Sequence, residues 1–142
     1  MTSNIQSNCS LRTGVLLVGH GTRSKLGRAQ CEALAADVAS RLDPRIYVAE
    51  LAYLELASPT IDDGIRRLKE RHIDRLIVVP LLLFAAGHAK EDIPAAVRDA
   101  LATVGMPNLP QLQTEPLGVR ETVIELAAMR FQEVADPKIP AE

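Results

Sequence analysis

Ten residues, Arg75–Phe84 (RLIVVPLLLF), constrain this chain more than any others. They are apolar at odd and even positions alike. A strand with one wet face alternates, whereas a strand apolar on both sides belongs inside a parallel sheet covered on both faces. Pro80 interrupts the run and can donate no ladder hydrogen bond, so a bulge or a strand end is expected near it.

The flanking segments supply the rest of such a sheet. Gly14–Val18 (GVLLV) reads as a buried strand running into the loop Gly19-His20-Gly21. Cys31, Leu34, Ala35, Val38 and Leu42 recur at helical spacing until Asp43-Pro44 stops them. Arg45–Leu54 reads as a strand. Ser58 is expected to cap a helix with Pro59 at its first position, and that helix carries Ile61, Ile65, Leu68 and His72 on one face. Ile93, Val97, Ala100, Leu101 and Val104 form a further helical face. Leu109–Thr114 is a weak strand, and Val119–Val134 predicts a last helix with Val123, Ile124, Ala127, Phe131 and Val134 turned inward. Strand and helix alternate four times. The expected fold is α/β: a four-stranded parallel sheet with helices on both faces, in one domain spanning 14–134. A polar N-terminal tail, 1–13, and a C-terminal tail, 135–142, flank it.

Composition removes several function classes. At 142 residues and 47% hydrophobic, one domain can bury a core without disulfides. A net charge of −2 and 3% aromatic residues argue against a nucleic-acid partner. The apolar runs are too short to span a membrane, and no signal-peptide pattern opens the chain, so a cytoplasmic protein with no membrane partner is expected. The two cysteines, Cys9 in the tail and Cys31 in a helix, form neither a disulfide framework nor a zinc motif, and Cys31 is expected to be buried.

In parallel sheets, ligands bind beyond the carboxyl ends of the strands. Three ligand-type residues stand there: His20 after the first strand, Glu55 after the second and His88 after the third. Each is about one βα unit from the next. Singly, each also fits a solvated loop histidine or a surface carboxylate. Jointly, two imidazoles and a carboxylate are a frequent ligand set for a catalytic divalent metal. Glycines beside both histidines, Gly87 among them, let a bulky ligand come close to the backbone. Arg23, Lys25, Arg28 and Lys90 form either a solvated rim or a clamp for a carboxylated ligand. His72, late in its helix, is assigned no chemistry. The glycines do not complete a dinucleotide or P-loop fingerprint, and no GxSxG elbow occurs.

The stretches LLVGHGTR at 16–23, YLELASPTIDDG at 53–64 and VVPLLLFAAGHAKEDIP at 78–94, with a weaker EPLG at 115–118, resemble the sirohydrochlorin chelatases. These are metal-inserting enzymes of sirohaem and cobalamin synthesis. The likeness runs from Gly14 to about Phe131. It implies that His20 and His88 bind the metal and assist pyrrole deprotonation, and that Glu55 completes the metal site. It implies that Arg23, Lys25, Gly87 and Lys90 meet a carboxylated, sirohydrochlorin-type tetrapyrrole. The metal, cobalt or iron with nickel as a further candidate, is a substrate, and no organic cofactor is implied. A non-enzymatic metal or tetrapyrrole carrier using the same residues is the alternative. Many members of the family hold two such units facing each other across a cleft. A one-unit chain is therefore expected to form a homodimer, through the loop edge and the apolar stretch Leu82–Ala86.

Overall fold

The structure is a computed structural model that describes residues 11–135. Cys9 and most of both expected tails lie outside the described residues. The elements are β1 (Thr13–Gly19), α1 (Lys25–Ser40), β2 (Tyr47–Tyr53), α2 (Ile61–Glu70), β3 (Arg75–Pro80), a π-helical turn (His88–Asp92), α3 (Ile93–Thr103), β4 (Gln111–Gln113) and α4 (Glu121–Ala135). The strands form one parallel sheet in the order β2-β1-β3-β4, as the alternation predicts. Thr13, expected in the tail, is instead buried in the sheet, and its hydroxyl accepts a 2.7 Å hydrogen bond from Arg75 Nε.

The pleat sends alternate residues of the central strands to opposite faces. Leu16, Val18, Leu76 and Val78 meet Ile61, Ile65 and Leu68 of α2 and Ile93, Val97, Ala100 and Leu101 of α3. Each of these leucine, isoleucine and valine side chains, fully buried, contributes about 1.5–3 kcal/mol. A Cβ at Gly64 would stand 2.6 Å from Leu16 Cδ1, so glycine lets α2 lie close against β1. On the other face, Val15 and Leu17 pack with Ala35 of α1, and Val38 and Leu42 join at the edge.

Several local expectations are corrected. Cys31 is only partly buried, and Leu34 is half exposed, because α1 lies on the sheet along Ala35. Ser58 does not cap α2. Thr60 does: its hydroxyl accepts from the Asp63 amide while the Asp63 carboxylate accepts from the Thr60 amide. That reciprocal pair satisfies two donors at once, an advantage Ser58 cannot offer. Pro59 precedes the helix rather than opening it. His72 lies past the end of α2, exposed and in a left-handed conformation with φ 54°, so it is not on the packed face.

The strand within the long apolar run ends at Pro80, as expected of a residue that donates no ladder hydrogen bond. Leu76 N donates to Pro110 O and Leu81 N donates to Val18 O, so even-numbered β3 amides face β4 and odd-numbered ones face β1. Pro80 falls on the β4 side, beyond the last pair of that ladder, Val78 with Gln113. Its missing N–H costs nothing there.

The largest departure is α4. None of its residues is buried, and Phe131 and Val134, expected inward with Val123, Ile124 and Ala127, are 72% and 73% exposed. The sheet is bare nearby as well: Leu112, paired with Ile77 and therefore on the α1 side, is 74% exposed. Helical spacing identifies an apolar face but not what covers it.

Candidate functional site

The edge formed by the carboxyl ends of β1, β2 and β3 is built by continuing the sheet one step past its strands. Leu54 N donates to Gly19 O at 2.9 Å, and Glu55 N donates to His20 O at 3.0 Å. These bonds hold the loops after β1 and β2 side by side. Gly21 makes the approach possible. Its φ is +104°, and a Cβ there would fall 1.7 Å from the Glu55 carbonyl oxygen. Beneath the loops, Tyr53 is 1% exposed, with its ring against Gly19. Burial, reinforced by the neighbouring Cys31 thiol, pushes the Tyr53 phenol up to about 12, so it stays neutral and acts as a packed floor.

The result is a pair: His20 Nε2 lies 3.2 Å from Glu55 Oε1, with the side chains 40% and 49% exposed. The other ring nitrogen, Nδ1, lies 3.2 Å from the Gly21 carbonyl. A carbonyl only accepts, so this network assigns the Nδ1 proton to that contact. The Nε2 of a neutral ring then turns a lone pair towards a carboxylate. Two acceptors so placed need a proton or a cation between them. Two ligands each about 2.0–2.2 Å from one tetrahedral ion stand about 3.3–3.6 Å apart, close to the spacing found here.

His88 reaches the same edge from β3. Leu117 N and Gly118 N, in the loop after β4, donate to the carbonyls of Leu82 and Leu83 and so fasten the segment leaving β3. The π-helical turn follows, closed by Ile93 N donating to His88 O. Pro94 has no amide proton, and the Ala89 carbonyl instead accepts from Gln113 Nε2 at 2.6 Å, tying the turn to β4. The His88 ring ends 5.0 Å from the His20 ring, edge to face at 75°. Its Nδ1 lies 2.7 Å from Asp92 Oδ2. β1 and β3 are neighbours whose following helices pack on opposite faces, so the two histidines flank the point where the connections part.

The three residues expected to converge therefore do so. Among the described residues, however, no three His, Cys, Asp or Glu side chains form a ready-made metal cage. The arrangement is a His20–Glu55 pair with His88 beside it. Gly87 has ordinary helical angles, φ −47° and ψ −42°, and a Cβ there would meet nothing within 4 Å. Arg23, Lys25 and Lys90 are all exposed on the segments that carry the histidines. Asp92 and Gln113 escape the sequence reading. The i,i+4 spacing of His88 and Asp92 is the signal that could have found the first; nothing local marks the second.

The comparisons with known proteins meet this geometry. Residues 14–134 match the family model described as CbiX. The chain belongs to the CbiX family. It is 38% identical, over 119 residues, to a sirohydrochlorin ferrochelatase of Priestia megaterium, covering 84% of this chain and 43% of that protein. It is 31% identical, over 121 residues, to a sirohydrochlorin cobaltochelatase of Sulfurisphaera tokodaii, covering 85% of this chain and 92% of that one. Among solved structures, the sirohydrochlorin chelatase SirB from Bacillus subtilis subspecies spizizenii in complex with cobalt superposes with a TM-score of 0.80 at 31% identity, covering 88% of this chain and 52% of SirB. The chain thus spans about half the length of the Priestia ferrochelatase and of SirB, and nearly all of the Sulfurisphaera protein.

Proposed function

We propose that this CbiX-family chain is a sirohydrochlorin chelatase, inserting cobalt or iron into a carboxylated tetrapyrrole. The observation that carries the reading is the gathering of His20, Glu55 and His88 at one sheet edge, with His20 Nε2 and Glu55 Oε1 3.2 Å apart. The names of relatives that match most of the chain point the same way.

Insertion replaces two pyrrole protons by one divalent cation and needs no net redox step. His20, His88 and Glu55 hold the incoming metal. As the metal passes to the macrocycle, each imidazole nitrogen that releases it regains a lone pair and takes a pyrrole proton. The same atom thus serves both roles in turn. An open pair with a neighbour suits a cation that must be handed on better than a closed cage does. Exposed Arg23, Lys25 and Lys90 bind the substrate carboxylates, and the open space at Gly87 admits the macrocycle.

One sheet edge supplies one wall for a broad, flat ligand, and a pocket normally buries most of its ligand. A homodimer supplies the second wall. The exposed apolar residues favour it: Leu83 and Phe84 beside the site, and the unburied side chains of α4. No helix among the described residues is long and apolar enough to cross a membrane.

An anaerobic insertion assay on sirohydrochlorin, comparing cobalt, iron and nickel by absorbance, tests the activity. Catalytic release of metallated product is expected. Stoichiometric binding without release would favour a carrier. Light scattering at micromolar concentration tests the dimer.

A further inference from the structure

Asp92 stands at the start of α3, where an aspartate ordinarily caps the helix by accepting from its first amides. It makes no such bond. The chain enters α3 already helical at Asp92, with φ −71° and ψ −44°, because the π-helical turn runs straight into it. The Ile93 amide is taken by His88 O, and Pro94 has no amide proton to offer. The carboxylate is therefore released from capping, and its Oδ2 lies 2.7 Å from His88 Nδ1. With side chains 48% and 55% exposed, this contact contributes little to stability. Its consequence lies in the imidazole.

An ionised carboxylate can only accept, so it selects the form of His88 that carries its proton on Nδ1. The lone pair is left on Nε2. Free histidine has no such constraint, and the two ring nitrogens are distinguished by the partner one of them holds. His20 is treated alike by a different group, the Gly21 carbonyl at its Nδ1. Both rings thus hold Nδ1 against a protein acceptor and keep Nε2 for chemistry, although one acceptor is backbone and the other a side chain four residues along a turn.

We infer that Asp92 is a positioning residue, fixing the tautomer and orientation of His88 so that Nε2 is the metal-binding and proton-accepting atom. The inference deepens the chelatase reading and rests on it. Partners of this kind orient metal-binding histidines widely, and their loss typically costs 10–100-fold in metal affinity.

The test uses the full metal-free chain. Long-range proton–nitrogen NMR at mildly alkaline pH reports which ring nitrogen of His88 is protonated, with the resonances assigned by their loss in His88→Ala. Wild type should carry the proton on Nδ1. Asp92→Leu should shift the proton towards Nε2 and weaken cobalt binding roughly 10–100-fold, with the melting temperature nearly unchanged. Asp92→Glu, which keeps an acceptor-only group one methylene further out, should recover part of both. A wild-type His88 protonated on Nε2 would overturn the inference, as would an Asp92→Leu variant with unchanged tautomer and cobalt affinity. Should Asp92→Leu not fold, the wild-type tautomer and the Asp92→Glu variant still decide. Unchanged cobalt affinity in His88→Ala would instead refute the metal-site reading, and the tautomer measurement would still judge Asp92 separately.

Discussion

Gly21→Ala is the sharpest test of how the site is held. The methyl group meets two separate obstacles. At φ +104° an L-residue is strained, at a cost of about 1–2 kcal/mol. Its Cβ would also lie 1.7 Å from Glu55 O, where a carbon and a carbonyl oxygen normally keep about 3.3–3.6 Å. The two loops must therefore part by about 1.5 Å or more, which breaks the bond from Glu55 N to His20 O. That bond is worth about 0.5–1.5 kcal/mol. Together these give roughly 1.5–3.5 kcal/mol, or a fall in Tm of roughly 5–15 °C for a domain of this size. The same displacement pulls Glu55 away from His20, so cobalt affinity should fall with stability. Gly87→Ala is the control, because its backbone angles suit alanine and its Cβ would meet nothing. There stability should hold or rise by about 0.4–1 kcal/mol, while macrocycle binding weakens because the methyl group occupies approach space. Thermal unfolding and calorimetric cobalt titration of the two variants make the comparison. A Gly21→Ala protein as stable as wild type, with cobalt binding intact, would show that the close approach does not hold the pair.

Four other outcomes follow from the geometry. His20→Ala and His88→Ala should each abolish or severely reduce insertion while circular dichroism stays unchanged, since both side chains are 40–48% exposed; Glu55→Gln should weaken cobalt binding more than sirohydrochlorin binding, read by separate titrations. Arg23→Ala and Lys90→Ala should raise KM for the macrocycle with metal affinity little changed, and added salt should mimic them. Thr60→Ala should cost about 1 kcal/mol by removing a helix cap, measured by urea unfolding. Hydrogen bonds from the Thr60 amide and hydroxyl hold the Asp63 carboxyl below its ordinary value of 3.8, so its contribution is present above that value and fades as pH falls through the lower folded one. Acid unfolding of Asp63→Asn should therefore be less steep than that of wild type.

What was legible in the sequence follows from what each signal depends on. The strands β1 and β3 and the helices α2 and α3 were readable because burial leaves unbroken apolar runs in the strands and strict spacing in the helices, as in Leu76–Val79 and in Ile93, Val97, Ala100 and Leu101; β4, wholly exposed, carries only a weak signal. His20, Glu55 and His88 were readable because a parallel sheet brings the ends of its strands to one edge whatever the loops do. Thr60 was missed because Ser58-Pro59 imitates a helix start. The decisive feature was the reciprocal Asp63, three residues on. The π-helical turn was missed because its cause is split between Pro94, which lacks an amide, and Gln113, which takes the freed carbonyl from another strand. The environment of α4 was not legible because an amphipathic pattern states that a face is covered without naming the cover.

The exposure of the site and the bareness of α4 bear on one another. A cation and an anion 4 Å apart attract by about 1 kcal/mol in bulk water and about 4 kcal/mol at the effective dielectric of a partly screened protein site. With His20, Glu55 and His88 all 40–49% exposed, a metal proposed to bind them would be held on a lone chain under conditions nearer the first figure. A second copy laid over the edge, anchored by Phe84 and by apolar residues of α4 such as Phe131, moves the site towards the second. It would also keep water from competing for the nitrogens proposed to accept pyrrole protons. On this argument a dimer would serve the proposed chemistry and not only cover apolar surface. Dilution through the dimer dissociation constant, followed by light scattering and insertion rate together, should lower activity per chain in step with the dimer fraction. Activity per chain that stays constant while dimers separate would mean that one edge suffices.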